Sequence, residues 1–353
     1  MPNATLTRAI DALAQRRDLS ADETAEVLDE IMHGEVSETQ IAGFLIALRT
    51  KGETVEELTG LARTMRTLAT PVPVAREDLL DTAGTGGGGS TFNVSTTAAL
   101  IAAGAGCGVA KHGNRSATSR SGSADVLEAL GARIDLAPEG VAACIEEAGF
   151  GFMFAPAHHQ ATRYVVPVRR ELAVRTVFNF LGPLTNPAGA PRQLIGVSDP
   201  AFQETVAGAL ARLGARRALV VCGEDGLDEI SIGAATKIIE VNCGAGETFT
   251  RYTLTPAEVG VQALDAVSGD GKVLAGGSPE ENARVTEAIL GGEGGAAAEL
   301  AAINAGAAIY AAGVAESIAE GVVAAREAMA DGRAADALAR FVAASARHAP
   351  ESA

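Results

Sequence analysis

Long apolar runs are missing from this 353-residue chain. Apolar residues make up 47% of it, yet uninterrupted runs such as 98–103 and 218–222 fall far short of the ~20 residues that a membrane-spanning helix needs. A basic segment leading into an apolar run is also missing from residues 1–10, so neither a signal peptide nor a membrane anchor is expected, and a cytoplasmic location is. Cysteine is scarce and unpaired. Cys107, Cys144, Cys222 and Cys243 are widely spaced with no CxxC, which predicts reduced, buried thiols rather than disulfides or a zinc site. Basic residues number 28 against 44 acidic ones, and the net charge of −16 counts against a nucleic-acid partner, because such binding rests on Lys and Arg neutralising phosphates. No Ser/His/Asp order or carboxylate pair points to hydrolysis. One absence runs against the composition: between Thr82 and Ala124 this acidic chain carries no Asp or Glu, while Lys111, Arg115 and Arg120 fall inside. A Gly/Ala/Ser-rich region can arise this way by chance, and so can an anion site.

What is present falls into two blocks. The first seventy residues read as helices. Ser20/Glu23, Ser37/Gln40 and Thr54/Glu57 match the capping-box pattern, each followed by an apolar stripe of helical period. Pro71 and Pro73 then mark a linker. Beyond it, short apolar runs at 79–83, 107–111, 151–156, 194–198, 218–223 and 238–241 alternate with helix-length segments, which predicts an α/β sheet. From 278 onward the chain is Ala-rich and helical, with a glycine-rich loop at 291–295.

Four stretches carry chemistry. The segment 81–96, Asp-Thr-Ala-Gly-Thr-Gly-Gly-Gly-Gly-Ser-Thr-Phe-Asn-Val-Ser-Thr, lies between a predicted strand and a predicted helix. Glycines admit a phosphate close to backbone N–H groups, and the helix start adds free donors, so it reads as a phosphate cradle. A dinucleotide loop would want an acid ~20 residues on, and none comes before Asp125; a Walker loop would end in Gly-Lys-Ser/Thr, and this one does not. The second stretch, 111–119, follows a strand end with two cations, a His and several hydroxyls, which suits a polyphosphate plus a second polar substrate; a solvated loop is its plain alternative. The third is the acidic turn at 223–230, whose adjacent Asp228 and Glu229 could hold Mg²⁺, with the hydroxyl of Ser95 adding an oxygen. Taken alone, such a turn on an acidic protein reads as surface. In the fourth, His158 and His159 lack a third metal ligand and read as helix-surface histidines, while 178–186 reads as an ordered apolar loop able to wall a pocket.

In this order, the four stretches closely resemble the anthranilate phosphoribosyltransferase family from about residue 5 to 345. The resemblance implies an α/β protein of the nucleoside phosphorylase/phosphoribosyltransferase-like fold. A small all-helical domain at 1–70, joined by a helical segment near 165–185, would pair with a large α/β domain with a central sheet at 74–353. It implies a Mg²⁺-dependent transferase of tryptophan biosynthesis, a homodimer with no nucleic-acid or membrane partner. It moves the phosphoribosyl group of phosphoribosyl pyrophosphate onto the amine of anthranilate. The donor would be held by Gly84, Gly87, Gly88, Thr91, Asn93, Val94, Ser95, Thr96, Lys111, His112, Gly113, Asn114, Arg115, Ser116, Ala117, Thr118, Ser119 and Ser123. Anthranilate would meet Gly84, His112, Asn114, Arg169 and Pro183, and the metal Ser95, Asp228 and Glu229. No residue is implied as an obligatory acid or base. The chain departs from the family once: its loop normally runs Gly-Thr-Gly-Gly-Asp, whereas Gly88 stands in the place of the Asp, in a loop one residue shorter before Asn93. A same-fold pyrimidine nucleoside phosphorylase would carry Lys-His-Ser where Asp81-Thr82-Ala83 stand.

Overall fold

The computed structural model describes residues 2–89, 91–116, 120–244, 246–263 and 274–350. Four helices come first: α1 (Ala4–Ala14), α2 (Ala21–Met32), α3 (Glu38–Lys51) and α4 (Val55–Leu68). The capping boxes predicted at Ser20 and Thr54 close in both directions. At α3 the outcome differs. Ser37 caps the N–H of Gln40, but the Gln40 amide turns away to bond both the N–H and the carbonyl of Asn3, tying α3 to the start of α1.

The α/β part runs β1 (Leu80–Gly84), α5 (Val94–Gly104), β2 (Val109–Gly113), α6 (Ser123–Ala129), α7 (Pro138–Ala148) and β3 (Phe150–Phe154). Three short helices follow, α8 (Ala155–His158), α9 (Val166–Leu172) and α10 (Phe178–Leu184), then β4 (Arg192–Gly196), α11 (Gln203–Arg212), β5 (Arg217–Gly223), β6 (Thr236–Asn242) and β7 (Thr248–Leu254). Four helices end the chain: α12 (Pro279–Leu290), α13 (Ala296–Ala312), α14 (Ile318–Ala330) and α15 (Arg333–His348).

Three readings change. The run expected as a strand through 156 stops at Phe154, because Ala155 and Pro156 open α8. The expected apolar loop at 178–186 is largely helical, with Pro183 inside the last turn of α10. Strand β7 has no counterpart among the predicted strands. It is an edge strand exposed over most of its length, so its sequence lacks the buried period-2 pattern that marked the others.

The seven strands lie in the order β3-β2-β1-β4-β5-β6-β7, parallel through β5 and antiparallel beyond. Alternating side chains feed two apolar clusters. Leu194, Leu219 and Val221 join the cluster that holds residues of α5, α7, α13 and α15, while Ile195, Ala218 and Val220 join the other. That second cluster joins residues of α1–α4 to Val165, Val168, Phe178, Phe180, Leu181 and Leu184. From β1 the chain crosses to β2 on one side, and β4 lies on the other. The carboxyl ends of β1 and β4 are therefore a switch point, where open α/β sheets leave a crevice for ligands.

Candidate active site

The glycine loop leaves β1 at this crevice. Gly86 and Gly87 have φ of +68° and +89°, a left-handed backbone that side chains resist. Close approach explains two more glycines. A Cβ at Gly84 would stand 2.4 Å from a carboxylate oxygen of Asp228, and one at Gly88 would stand 2.8 Å from the other oxygen. The acidic turn after β5 therefore packs directly on the loop, and Gly86 N–H donates to Asp228 Oδ2 at 2.8 Å. At Gly88 the added Cβ would also stand 2.9 Å from the Asp228 N–H and the Gly226 carbonyl, so no side chain fits there without the turn shifting. The loop ends at α5, whose start has no side-chain cap; Asn93 instead bonds Ser121 and Asn282, pinning the loop's far end. Thr91 bridges to Ala275, Thr96 is buried with no partner for its hydroxyl among the described residues, and Val94 is buried.

Strand β2 delivers Lys111 and His112 to opposite sides. The Lys111 ammonium is buried, donating to Thr82 O at 2.5 Å and to Ser95 Oγ at 3.4 Å. Burial pulls its pKa down, opposed by the charges of Asp81 and Glu229. Asp81 is buried beneath it, held by Asn186 Nδ2 at 2.7 Å and His112 N–H at 3.1 Å. The acidic turn divides in two: Glu224 and Asp225 are exposed, whereas Asp228 and Glu229 turn inward. Burial pushes both of these carboxyls up, and at Glu229 the neighbouring Asp228 charge pushes further, against Lys111. Two adjacent carboxylates withdrawn from water, with Ser95 Oγ on the same lysine, make an oxygen donor set that a divalent cation would relieve. Mg²⁺ takes one or two protein carboxylates plus substrate phosphates, a set that Asp228 and Glu229 have the chemistry to supply.

On the other side of β2 a cavity of about 470 Å³ opens, lined by His112, Asn114, Arg169, Phe178, Gly182 and Met65, among others. The Arg169 guanidinium lies over the Phe178 ring, 5.4 Å from its centroid. Burial lowers its pKa, and among the described residues no carboxylate pairs with it; Glu171, the sequence's candidate partner, is exposed and makes no such pair. A half-buried guanidinium on a cavity wall, without a carboxylate partner among the described residues, has the geometry to meet a carboxylate with two parallel hydrogen bonds. Gly84 lies with Asp228 rather than in this wall. Pro183 sits behind it, its carbonyl accepting from Gln193. Arg115 pairs with Asp125 and Glu128 at the surface, Ser123 Oγ donates to Asn114 O, and Ser116 N–H donates to Asp125. Gly113 ends β2, while Ala117, Thr118 and Ser119 lie outside the described residues. Phe178 walls the cavity as the sequence led one to expect of 178–186, whereas sequence reasoning missed Met65 in the same wall and Arg175 on the glycine loop, for which no local motif exists.

The twin histidines are not on a helix surface. His158 and His159 are buried, bonded to Thr70 O and Thr185 O, because the chain turns inward after β3 and places them under α10. The His159 ring sits 5.0 Å from that of His112, which bonds Gly182 O. A carbonyl only accepts, so each ring donates to it; burial, opposed by these bonds, favours the neutral ring in all three. Burial, with the neighbouring rings adding, pulls His112 down to about 3 and His159 to about 4. With these folded values below the unfolded one, the unfolded chain takes up protons that the folded chain refuses. Stability is therefore full above the unfolded value of ~6.5 and declines on acidification by about 1.4 kcal/mol per pH unit for each such histidine. In urea unfolding across this range, His159→Gln, which can still donate to Thr185 O, is expected to flatten the pH slope by about one proton. An unchanged slope would mean that His159 titrates normally in the folded protein.

Two family models divide the chain: the helical bundle domain of a glycosyl transferase family matches residues 7–69, and the a/b domain of a glycosyl transferase family matches 76–335. The anthranilate phosphoribosyltransferase of Moorella thermoacetica is 49% identical over 339 residues, 96% of this chain and 98% of its own length. The crystal structure of the Thermus thermophilus enzyme of the same name superposes with a TM-score of 0.87 at 48% identity, covering 96% of this chain and 99% of that one. The Saccharomyces cerevisiae enzyme, solved in complex with PRPP and Mg, superposes at 0.86 with 26% identity, covering 98% of this chain and 99% of that one. With the switch-point crevice, the glycine loop and the inward acidic pair all in place, the chain belongs to the anthranilate phosphoribosyltransferase family.

Proposed function

We propose that the protein transfers the phosphoribosyl group of phosphoribosyl pyrophosphate to the amine of anthranilate, releasing pyrophosphate and N-(5-phosphoribosyl)anthranilate. One observation carries the reading. The end of β2 separates two compartments: Lys111 faces Ser95 and Glu229 of the acidic turn, while His112 and Asn114 face the cavity that holds Arg169, which pairs with no carboxylate among the described residues. An anionic donor and a carboxylate-bearing acceptor would thus meet across a single strand end.

In this reading the glycine loop, the start of α5 and Lys111 hold the donor's phosphates. Ser95, Asp228 and Glu229 would hold Mg²⁺, which would supply positive charge to neutralise the leaving pyrophosphate. Arg169 clasps the anthranilate carboxylate, and the apolar wall at Phe178 and Met65 holds the ring. The amine then attacks ribose C1 as the C1–pyrophosphate bond breaks, and the cationic nitrogen so formed loses one proton to the released pyrophosphate or to water. Lys111 and the loop N–H groups stabilise charge arriving on the leaving oxygen, and positioning supplies much of the rest. The amine is neutral and needs no prior deprotonation, so no obligatory base is assigned. Mixing the protein with Mg²⁺, phosphoribosyl pyrophosphate and anthranilate tests this directly. Anthranilate fluorescence should fall, and a steady signal would overturn the assignment.

We also read 1–70 with 165–185 as a small helical domain and 74–353 as the large one, supported by the apolar cluster that those two helical segments share. A homodimer is supported by the exposed Ile46, Val166 and Val174, which lie on or just after the packed pair α3 and α9. A cytoplasmic location suits a phosphorylated donor that cannot cross membranes unaided.

A further inference from the structure

Arg175 lies on the connector between α9 and α10 and carries no motif. Its guanidinium leaves the connector and donates to two consecutive carbonyls of the glycine loop, Thr85 O at 3.1 Å and Gly86 O at 2.5 Å. Ser198, just past β4, donates its hydroxyl to the same Gly86 oxygen at 2.9 Å. The fit is close: a Cβ on Gly87 would stand 1.5 Å from Arg175 Nη1. The connector is itself tied down, since Arg49 of α3 donates to the carbonyl of Arg175 at 2.6 Å.

In a trans peptide the C=O and N–H point in opposite directions. Drawing the Thr85 and Gly86 carbonyls toward one guanidinium therefore turns the N–H groups of Gly86 and Gly87 to the opposite side. On that side an anionic oxygen already sits, for Gly86 N–H donates to Asp228 Oδ2. Successive backbone N–H groups facing one way are a recurrent means of holding phosphate oxygens. Flanked by flexible glycines, this orientation has no local cause in the loop's own sequence; it is imposed from outside.

We propose that Arg175 is a positioning residue for the phosphoribosyl donor: through its bonds to Thr85 O and Gly86 O it aims the loop's N–H groups at the pyrophosphate, without itself touching either substrate. The inference rests on the transferase reading above and adds to it a residue outside the glycine and β2 motifs. Losing Arg175 frees the loop to sample orientations in which these donors point away, so the donor binds less often in the productive form.

Three variants test this, with steady-state kinetics in each substrate, calorimetric titration of phosphoribosyl pyrophosphate with Mg²⁺, and a melting curve. Arg175→Ala is expected to raise the donor's KM and Kd by roughly 10-fold, with the KM for anthranilate within about twofold of wild type. Arg175→Lys should recover most of that loss, because an ammonium carries three donors and can serve both carbonyls. Ser198→Ala, which removes one of the bonds to Gly86 O, should raise the donor's KM by about threefold. An unchanged donor KM in Arg175→Ala would overturn the proposal. So would an equal rise for both substrates with a lowered melting temperature, or a lysine variant no better than alanine. A wild-type protein inactive in the same assay would instead sink the transferase reading.

Discussion

Replacing Asp228 by Asn and Glu229 by Gln together is expected to cut turnover at saturating Mg²⁺ by at least ~100-fold, the scale of losing a main electrostatic stabiliser of the transition state. The two carboxyls are the only ones in the acidic turn that face inward, and Glu229 lies within the field of Lys111. Both substitutions keep size and shape, which the packing of Gly84 and Gly88 against Asp228 requires. They also remove two like charges held close together out of water, so the variant should melt no lower than wild type in the absence of metal. Loss of activity with the fold intact is therefore the expected signature. Glu224→Gln, on the exposed part of the same turn, should leave turnover near wild type. Near-normal turnover in the double variant would move the metal away from this turn.

Arg169→Ala should weaken apparent anthranilate affinity by ~10- to 100-fold while leaving donor binding nearly unchanged. The estimate is the roughly 1.5–3 kcal/mol of a hydrogen bond to a charged group, converted at about 1.4 kcal/mol per tenfold. The guanidinium can meet a carboxylate with two parallel bonds, which would fix the ring so that its amine faces ribose C1. Its present contact is the face of Phe178, and truncation would remove that packing as well. Kinetics in anthranilate, paired with calorimetric titration of the donor, separate the two sides of the site. Equal losses on both would mean that the α9–α10 wall had collapsed, and no change on either would make Arg169 a bystander.

The elements whose cause is local were legible in the sequence. Ser20/Glu23 and Thr54/Glu57 form capping boxes because both partners lie within one turn, and the glycine run reads as a loop because it falls between the strand β1 and the helix α5. Strands β1 to β6 showed as apolar runs because their central residues are buried, whereas β7, exposed at the sheet's edge, had no such pattern to read. Ser37 shows the limit of even a local rule. Its Gln40 matched the box but found Asn3, 37 residues away, a better partner.

What the tertiary structure alone decided is which side each polar residue faces. Asp228 and Glu229 differ from Glu224 and Asp225 in no way that composition records; strand order brings the first pair under the glycine loop, where Gly86 reaches Asp228 across 142 residues of sequence. His158 and His159 read as surface because no partner lies nearby in sequence, yet the fold buries them and the carbonyls of Thr70 and Thr185 satisfy them. Arg175 is an ordinary arginine until the crossing of the sheet sets it against Thr85 and Gly86. Hydrogen bonds within a turn are written in adjacent residues. Burial and desolvation depend on neighbours that only the closing of the sheet brings near.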